Sequence, residues 1–206
     1  SERLCPDIPV PVFKPKRVVN GMGMAGNLYK NLEAFGVTCD LLTNVTKVSK
    51  NRFIDLKTNH TFLRVDENDV IPRVPNEWLK GYDHKLYKAV VIADYGKGFL
   101  EEDDIQYLCE NNENVFLDTK KTIGDFCSKA KFIKINEPEY LNISDDIDCN
   151  QWVEKLIVTL GNRGCMLYRE QGFCNFEVER VEVYDVSGAG DTFHAALVHK
   201  YLETQD

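Results

Sequence analysis

Four short apolar runs, each ending in a polar residue or glycine, constrain the fold of this chain more than any other feature. They lie at 89–94 (AVVIAD), 114–118 (NVFLD), 131–136 (KFIKIN) and 155–161 (KLIVTLG). Nearly continuous apolar runs of this length are typical of strands buried on both faces of a parallel sheet. A helix-like stretch at 101–112, with four acidic residues at its amino end, follows the first run. This alternation predicts an α/β fold with right-handed crossovers.

The residues that end these runs predict a ligand site. They are Asp94, Asp118, Asn136, and Thr159 with Gly161. In an open α/β sheet, the carboxyl ends of the strands form the crevice in which ligands bind. One such residue alone is more often a helix cap or a turn former. Four of them in register favour a site.

The first third of the chain has a different pattern. Residues 8–20 carry prolines among β-branched residues, which suits an edge strand or an extended ribbon. Residues 52–66 alternate around the polar tip KTNH and predict an exposed hairpin. Between them, Leu28, Leu32 and Phe35 recur at helical spacing before a glycine. We therefore predict a single domain over 1–206, with a small β lid formed by about 8–20 and 51–66.

Composition excludes several classes of function. The net charge of −8 argues against a nucleic-acid binder and against a protein that binds anionic membranes, since both need a basic surface. The longest apolar runs are too short to span a bilayer. The seven cysteines include no C-x-x-C pair, and the four histidines form no cluster. We therefore expect reduced thiols in a cytoplasmic protein rather than disulfides or a zinc site.

The stretch YDVSGAGDTF (184–193) places glycines directly before a predicted helix and a carboxylate on its first turn. Backbone N–H groups at a helix start bind anions, and glycines let an anion approach closely. Gly188, Ala189 and Gly190 would direct their amides at a phosphate. Asp191 would accept the proton of a hydroxyl that attacks phosphorus. In isolation this motif is a weak signal, and a tight turn with an acidic dipole partner is the better explanation of the same residues.

The stretch DVSGAGDTF closely resembles the signature of the PfkB (ribokinase-like) sugar kinases, Asp-Thr-x-Gly-Ala-Gly-Asp, with Val186 where threonine is usual. Five further stretches resemble motifs of that family, in the family's order. GMGMAGNLYKNLEAFG is similar to its sugar-contacting segment, with Met24 in place of the second glycine. VVIADYGKG, FLDTKK, INEPE and VTLGNRG are similar to its Ser-Asp-Tyr-x-Lys-Gly, Asp-Pro-Lys, Asn-x-x-Glu and Thr-x-Gly-x-x-Gly motifs. Within the family, the chain looks most like the heptose-phosphate kinases.

The resemblance implies a role for each matching residue. Asp191 would be the catalytic base, with the anion hole formed by Gly188, Ala189 and Gly190. The nucleotide phosphates would be lined by Thr159, Gly161 and Gly164, and the Mg²⁺–phosphate region would be organised by Asn136 and, indirectly as a metal ligand, Glu139. The sugar would be held by Gly23 and Asn27, with Asp94, Lys97 and Lys120 near the sugar or phosphate. Arg52, and Arg64 with Asp66, would be either substrate ligands or cross-strand pairs.

The resemblance also implies the architecture and the cofactors. They are a three-layer αβα sandwich with a mainly parallel central sheet and a β lid, ATP and Mg²⁺, a sugar or sugar-phosphate substrate, and a homodimer formed through the lid. The family's opening strand, a segment between DLLTN and KNRFID, and the helices after the GAGD helix have no counterpart in this sequence. The sequence would therefore be a fragment of a longer protein, a natural minimal version, or, as the alternative function, a catalytically inactive remnant that binds sugar phosphate or a protein partner.

Overall fold

The computed structural model describes residues 5–10, 12, 14–58, 60–68, 70–144, 147–179 and 187–205. The helices are α1 (Met24–Ala34), α2 (Asn76–Lys80), α3 (Glu102–Asn111), α4 (Glu137–Ile143) and α5 (Ala189–Thr204). The strands are β1 (Ser49–Ile54), β2 (Thr61–Glu67), β3 (Val90–Asp94), β4 (Val115–Thr119), β5 (Phe132–Asn136), β6 (Leu156–Thr159), β7 (Cys165–Arg169) and β8 (Gly172–Phe176).

The central sheet has six strands in the order β3-β4-β5-β6-β7-β8. Strands β3 to β6 are mutually parallel, and they are the four apolar runs of the sequence, each within two residues of its predicted bounds. Strands β7 and β8 extend the sheet as an antiparallel hairpin, which the sequence analysis did not identify. The predicted α/β fold with a mainly parallel sheet is confirmed.

Helices cover both faces of this sheet. On one face, Ile105 and Leu108 of α3 pack with Leu117 of β4 in the larger apolar core. On the other face, α1 and α5 pack over Phe116 of β4 in a second core. Adjacent residues of one strand thus point into different layers, because side chains alternate across a strand. The result is the predicted three-layer arrangement.

The predicted helix at 101–112 is observed as α3, and its acidic start is a capping box. Glu101 is the N-cap residue, and its amide donates to the Asp104 carboxylate at 2.9 Å. Asp104 also accepts two hydrogen bonds from Arg73, each 2.8 Å long. These contacts join the loop before α2 to the start of α3.

Strands β1 and β2 form a separate antiparallel two-stranded sheet, which we call the small sheet. It confirms the hairpin expected at 52–66. For residues 8–20 the sequence allowed an edge strand or an extended ribbon, and residues 8–10, 12 and 14–20 form no strand. Pro9 and Pro15 have no amide proton to donate to a sheet, so this segment is poorly suited to strand pairing.

None of the described helices is long and apolar enough to cross a membrane. The six cysteines with described side chains are free thiols, as the sequence predicts: Cys5, Cys39, Cys109, Cys127, Cys165 and Cys174. Burial raises the pKa of the Cys109 thiol to about 12 and that of Cys127 to about 11. Both therefore remain protonated and are unreactive core side chains at neutral pH.

Candidate active site

The residue directly before helix α5 is a glycine, and any side chain at that position would force neighbouring atoms to move. Gly188 is its N-cap residue, with the left-handed dihedrals φ 83° and ψ 0°. A Cβ atom at this position would lie 2.7 Å from Nδ2 of Asn27 in α1. Gly188 also supplies no side-chain cap to the first turn. The amides of Ala189, Gly190 and Asp191 therefore keep the anion-binding character of a helix start.

The Asp191 carboxylate is held by residues from two other elements. Nδ2 of Asn27 donates to Oδ2 at 2.8 Å, and the hydroxyl of Tyr95, directly after β3, donates to Oδ1. Asn27 and Asp191 are 164 positions apart in the sequence. The structure thus brings together two predicted site residues and a third, Tyr95, that sequence analysis did not select. The sequence did contain a signal for Tyr95, because this residue directly follows the polar end of a buried apolar run.

A buried ion pair lies beneath the start of α5. Nζ of Lys134 lies 2.6 Å from Oδ2 of Asp118, and the two side chains are only 8% and 13% exposed. A Cβ atom on Gly190 would lie 3.0 Å from this Nζ, so the glycine lets the helix start approach the lysine. Burial raises the pKa of Asp118, although the positive charge of Lys134 opposes this shift.

His194 lies on α5 one turn beyond Gly190 and is fully buried. Burial, with the positive charge of Lys134, lowers the pKa of its ring to about 3, so the ring is neutral. The ring approaches the backbone of Phe116. Within the described part of the chain, however, neither ring nitrogen has a partner at normal hydrogen-bond geometry. Because the His194 ring is neutral, the positive charge beside the start of this helix comes from Lys134 in the sheet.

The predicted pair Asn136 and Glu139 forms the capping box of α4. Oδ1 of Asn136 accepts from the amide of Glu139 at 2.9 Å, and the Glu139 carboxylate accepts from the Asn136 amide at 2.8 Å. Lys120 also forms an ion pair with Glu139. Three predicted site residues therefore lie together at the carboxyl ends of β4 and β5.

Asp94 is buried and connects two strands through its hydrogen bonds. Its carboxylate accepts from Oγ1 of Thr119 at 2.7 Å and from the amide of Gly96 at 3.0 Å, and Nζ of Lys121 lies 3.5 Å away. By strand alternation it shares a face with Ile92, in the layer of α3. The described contacts of Asp94 therefore join β3 to β4, whereas the next residue, Tyr95, contacts Asp191.

Five further predicted residues lie at the start of α1, after β3, and at or after the end of β6. Gly23 is the N-cap of α1 with φ 60°, and the carbonyl of Lys97 accepts from the Ile71 amide at 2.8 Å. Thr159, at the end of β6, pairs in register with Asn136. Gly161 and Gly164 follow it with φ 62° and 88°, and a Cβ atom on Gly164 would lie 1.9 Å from the Phe176 carbonyl oxygen. Packing against Phe176 therefore requires a glycine at position 164, whether or not Gly164 also binds a ligand.

Two observations describe the side chains of this site that could bind a metal ion. Across the described ranges, no group of three or more His, Cys, Asp or Glu side chains is arranged to hold a metal ion. The one predicted indirect metal ligand, Glu139, already accepts hydrogen bonds from Asn136 and Lys120. Asp185 and Val186 of the glycine-rich motif lie outside the described residues.

Comparison with known proteins shows which family the sequence matches. Residues 91–206 match the model described as pfkB family carbohydrate kinase. The chain is 27% identical to the "Bifunctional protein HldE" of Campylobacter jejuni over 95% of this chain and 51% of that protein. It is 28% identical to that of Helicobacter pylori strain J99, over 100% of this chain and 55% of that protein. The chain thus spans about half the length of these relatives.

Solved structures show the same fold. A Burkholderia thailandensis nucleoside kinase in complex with inosine is similar over 88% of this chain and 73% of that one, with a TM-score of 0.61 and 14% identity. A ribokinase from Thermotoga maritima is similar over 86% of this chain and 63% of that one, with a TM-score of 0.56 and 16% identity. The ribokinase-like fold expected from the sequence is confirmed.

Replacing Lys134 tests the buried pair. We expect Lys134→Met to lower the free energy of unfolding by about 3–5 kcal/mol, because Asp118 would remain buried without its counter-charge. Urea unfolding at neutral pH measures this loss. The matched control is Lys129→Met, which removes an exposed pair with Glu110 at 3.5 Å and should cost less than about 1 kcal/mol. Equal losses in the two variants would contradict the assignment.

Proposed function

Because the chain belongs to the pfkB family of carbohydrate kinases, we propose that it transfers the γ-phosphoryl group of ATP to a hydroxyl of a phosphorylated sugar, with a heptose phosphate as the acceptor. The observation that carries this proposal is the Asp191 carboxylate, held by Asn27 and Tyr95 on the first turn of α5. Lys134 lies beneath the same turn. A proton acceptor thus adjoins a site built for an anion.

The reaction that this geometry supports is an in-line displacement. Asp191 takes the proton of the acceptor hydroxyl as the oxygen bonds to the γ-phosphorus, and the bond to the β-phosphate oxygen breaks to release ADP. The amides of Ala189 and Gly190 and the charge of Lys134 stabilise the negative charge on the transferring group. A carboxylate beside bound phosphate is unfavourable for simple binding, so its presence here favours a role in proton transfer.

We assign a nucleotide phosphate to the start of α5, because its first amides have no side-chain cap and Lys134 places a positive charge beside Gly190. Asn136, Glu139, Thr159, Gly161 and Gly164 would line the rest of the nucleotide. Mg²⁺ bound with ATP would neutralise phosphate charge. Mg²⁺ usually keeps several waters and binds through substrate phosphates with one or two carboxylates. Glu139 forms an ion pair with Lys120, so an indirect role through water agrees with this coordination of Mg²⁺.

A cluster of positive charges supports a phosphorylated acceptor. In the small sheet, Arg52 lies directly opposite Arg64, and Arg64 is already paired with Asp66. Lys50, Arg52 and Arg64 together carry three positive charges on this face against the carboxylate of Asp66, which favours an anionic ligand. The hydrogen bond from Arg64, with the charges of Lys50 and Lys97, lowers the pKa of Asp66. Nζ of Lys50 also lies 5.9 Å from the ring centre of Tyr95, which contacts Asp191. The cluster is therefore next to the proposed base, where the substrate's own phosphate would be bound.

Asp191→Asn is the direct test of the base. With ATP, Mg²⁺ and heptose 7-phosphate, we expect kcat to fall by about 10²- to 10⁴-fold while KM for the sugar changes little, because only proton transfer is removed. Glu102→Gln changes a first-turn acid of α3 and should leave kcat unchanged. An undiminished kcat in Asp191→Asn would exclude this residue as the base. Calorimetry that shows sugar-phosphate binding without nucleotide binding would favour the inactive remnant.

Arg52→Met tests the phosphate on the acceptor. We expect KM for heptose 7-phosphate to rise by about tenfold, because a charge-assisted contact is lost, while KM for the unphosphorylated heptose stays the same. Steady-state kinetics with both sugars measure the difference. Lys57→Met, at the exposed turn of the same hairpin, is the matched control and should change neither value. Equal effects on both sugars would remove the phosphate from the proposal.

We further propose a homodimer formed through the small sheet. Four of its apolar side chains are between 38% and 51% exposed: Ile54, Phe62, Leu63 and Val65. Leu63 and Val65 are two positions apart on β2 and share the face opposite to Arg64, and exposed apolar side chains on a two-stranded sheet favour association. We expect Leu63→Glu to convert a dimer into a monomer in light scattering. Leu86→Glu, at a residue that is 82% exposed elsewhere, should leave the mass unchanged. A monomeric wild-type protein would overturn this interface.

A further inference from the structure

We propose that Tyr95 is a positioning residue, which fixes the Asp191 carboxylate in the orientation that accepts the substrate proton. The inference rests on the proposed function. Tyr95 is not needed to fill the core of either layer, and its described polar contact is with Asp191. It belongs to the connection after β3, whereas Asp191 belongs to α5. The contact therefore joins the edge strand of the central sheet to the helix that carries the base.

The two hydrogen bonds to Asp191 restrict different motions of its side chain. Asn27 donates to Oδ2 at 2.8 Å and Tyr95 donates to Oδ1. A carboxylate with a single donor can still rotate about its Cβ–Cγ bond, whereas donors on both oxygens fix its plane. Each carboxylate oxygen can accept two hydrogen bonds, so a substrate hydroxyl can still bind. Tyr95 thus fixes the plane without blocking the proton acceptor.

Tyr95 is itself held as a permanent donor. Burial raises the pKa of its hydroxyl, and the hydrogen bond to Asp191 raises it further. The hydroxyl therefore stays protonated at neutral pH. The residue lines a cavity of about 890 Å³ between α1 and β3. Lys50 of the small sheet lies over its ring, a favourable cation–π contact. These contacts restrict the ring, so the donor is preorganised.

A different explanation is that Tyr95 merely pairs its partly buried hydroxyl, as buried tyrosines usually do. The two explanations predict different kinetics. A tyrosine that only satisfies its own hydroxyl would affect stability, with no specific effect on the chemical step. A positioning tyrosine would affect kcat only through Asp191, so its effect would depend on that residue.

The experiment is a double-mutant cycle of Tyr95→Phe and Asp191→Asn in the whole chain. We expect Tyr95→Phe to lower kcat about tenfold with KM for heptose 7-phosphate unchanged, and to have no further effect on the residual rate of Asp191→Asn. An equal loss in both backgrounds, or an unchanged kcat in Tyr95→Phe, would overturn the proposal. The matched control is Tyr87→Phe, which removes a tyrosine–aspartate hydrogen bond of 2.7 Å to Asp40 outside the site.

The same four proteins give a second measurement that needs no activity. We expect their urea unfolding free energies to be non-additive, because Tyr95→Phe removes the hydrogen bond and Asp191→Asn removes the charge of its acceptor. Additive values would show that Tyr95 does not hold Asp191, which overturns the positioning role by itself. A wild-type protein that transfers no phosphate would instead overturn the proposed function. The two failures are therefore distinguishable.

Discussion

The ion pair between Lys134 and Asp118 is the interaction on which the site depends. The two residues are direct register partners on adjacent parallel strands, and both point toward α5. A positive charge beneath a helix start opposes the helix dipole, and a buried pair is costly to desolvate. Asp118 offsets part of this cost, and a bound phosphate would offset more. The sheet thus holds, close to Gly190, a charge that an anionic ligand would stabilise.

The central sheet was predictable because buried parallel strands leave a simple pattern in the sequence. The runs that became β3 to β6 are apolar on both faces, so their bounds were found within two residues. The hairpin of β7 and β8 was missed because its residues are only half-buried and no continuous apolar run marks it. The sequence allowed either an edge strand or an extended ribbon within 8–20, and no strand is observed at 8–10, 12 or 14–20, since prolines are compatible with an edge strand without favouring one.

The site was predictable only where a motif carried it. Asp191 and Asn27 were selected from glycine-rich segments, and the structure brings them into contact, while their chemical roles stay predictions. Lys134 and Tyr95 were not selected. A lysine in the middle of a buried run was the available signal for Lys134. Tyr95 is adjacent to the predicted Asp94, but alternation across the strand sends the two side chains to different layers. That distinction required the register of the sheet.

The contact between Asn27 and Asp191 also bears on how the chain acquires its site. These residues are far apart in sequence, and Tyr95 lies between them. Contacts that close such long stretches of chain are entropically expensive and tend to form late in folding. The apolar packing of α3 against the sheet involves much shorter separations and needs no help from α5. The catalytic arrangement therefore depends on long-range contacts that the larger core does not itself require.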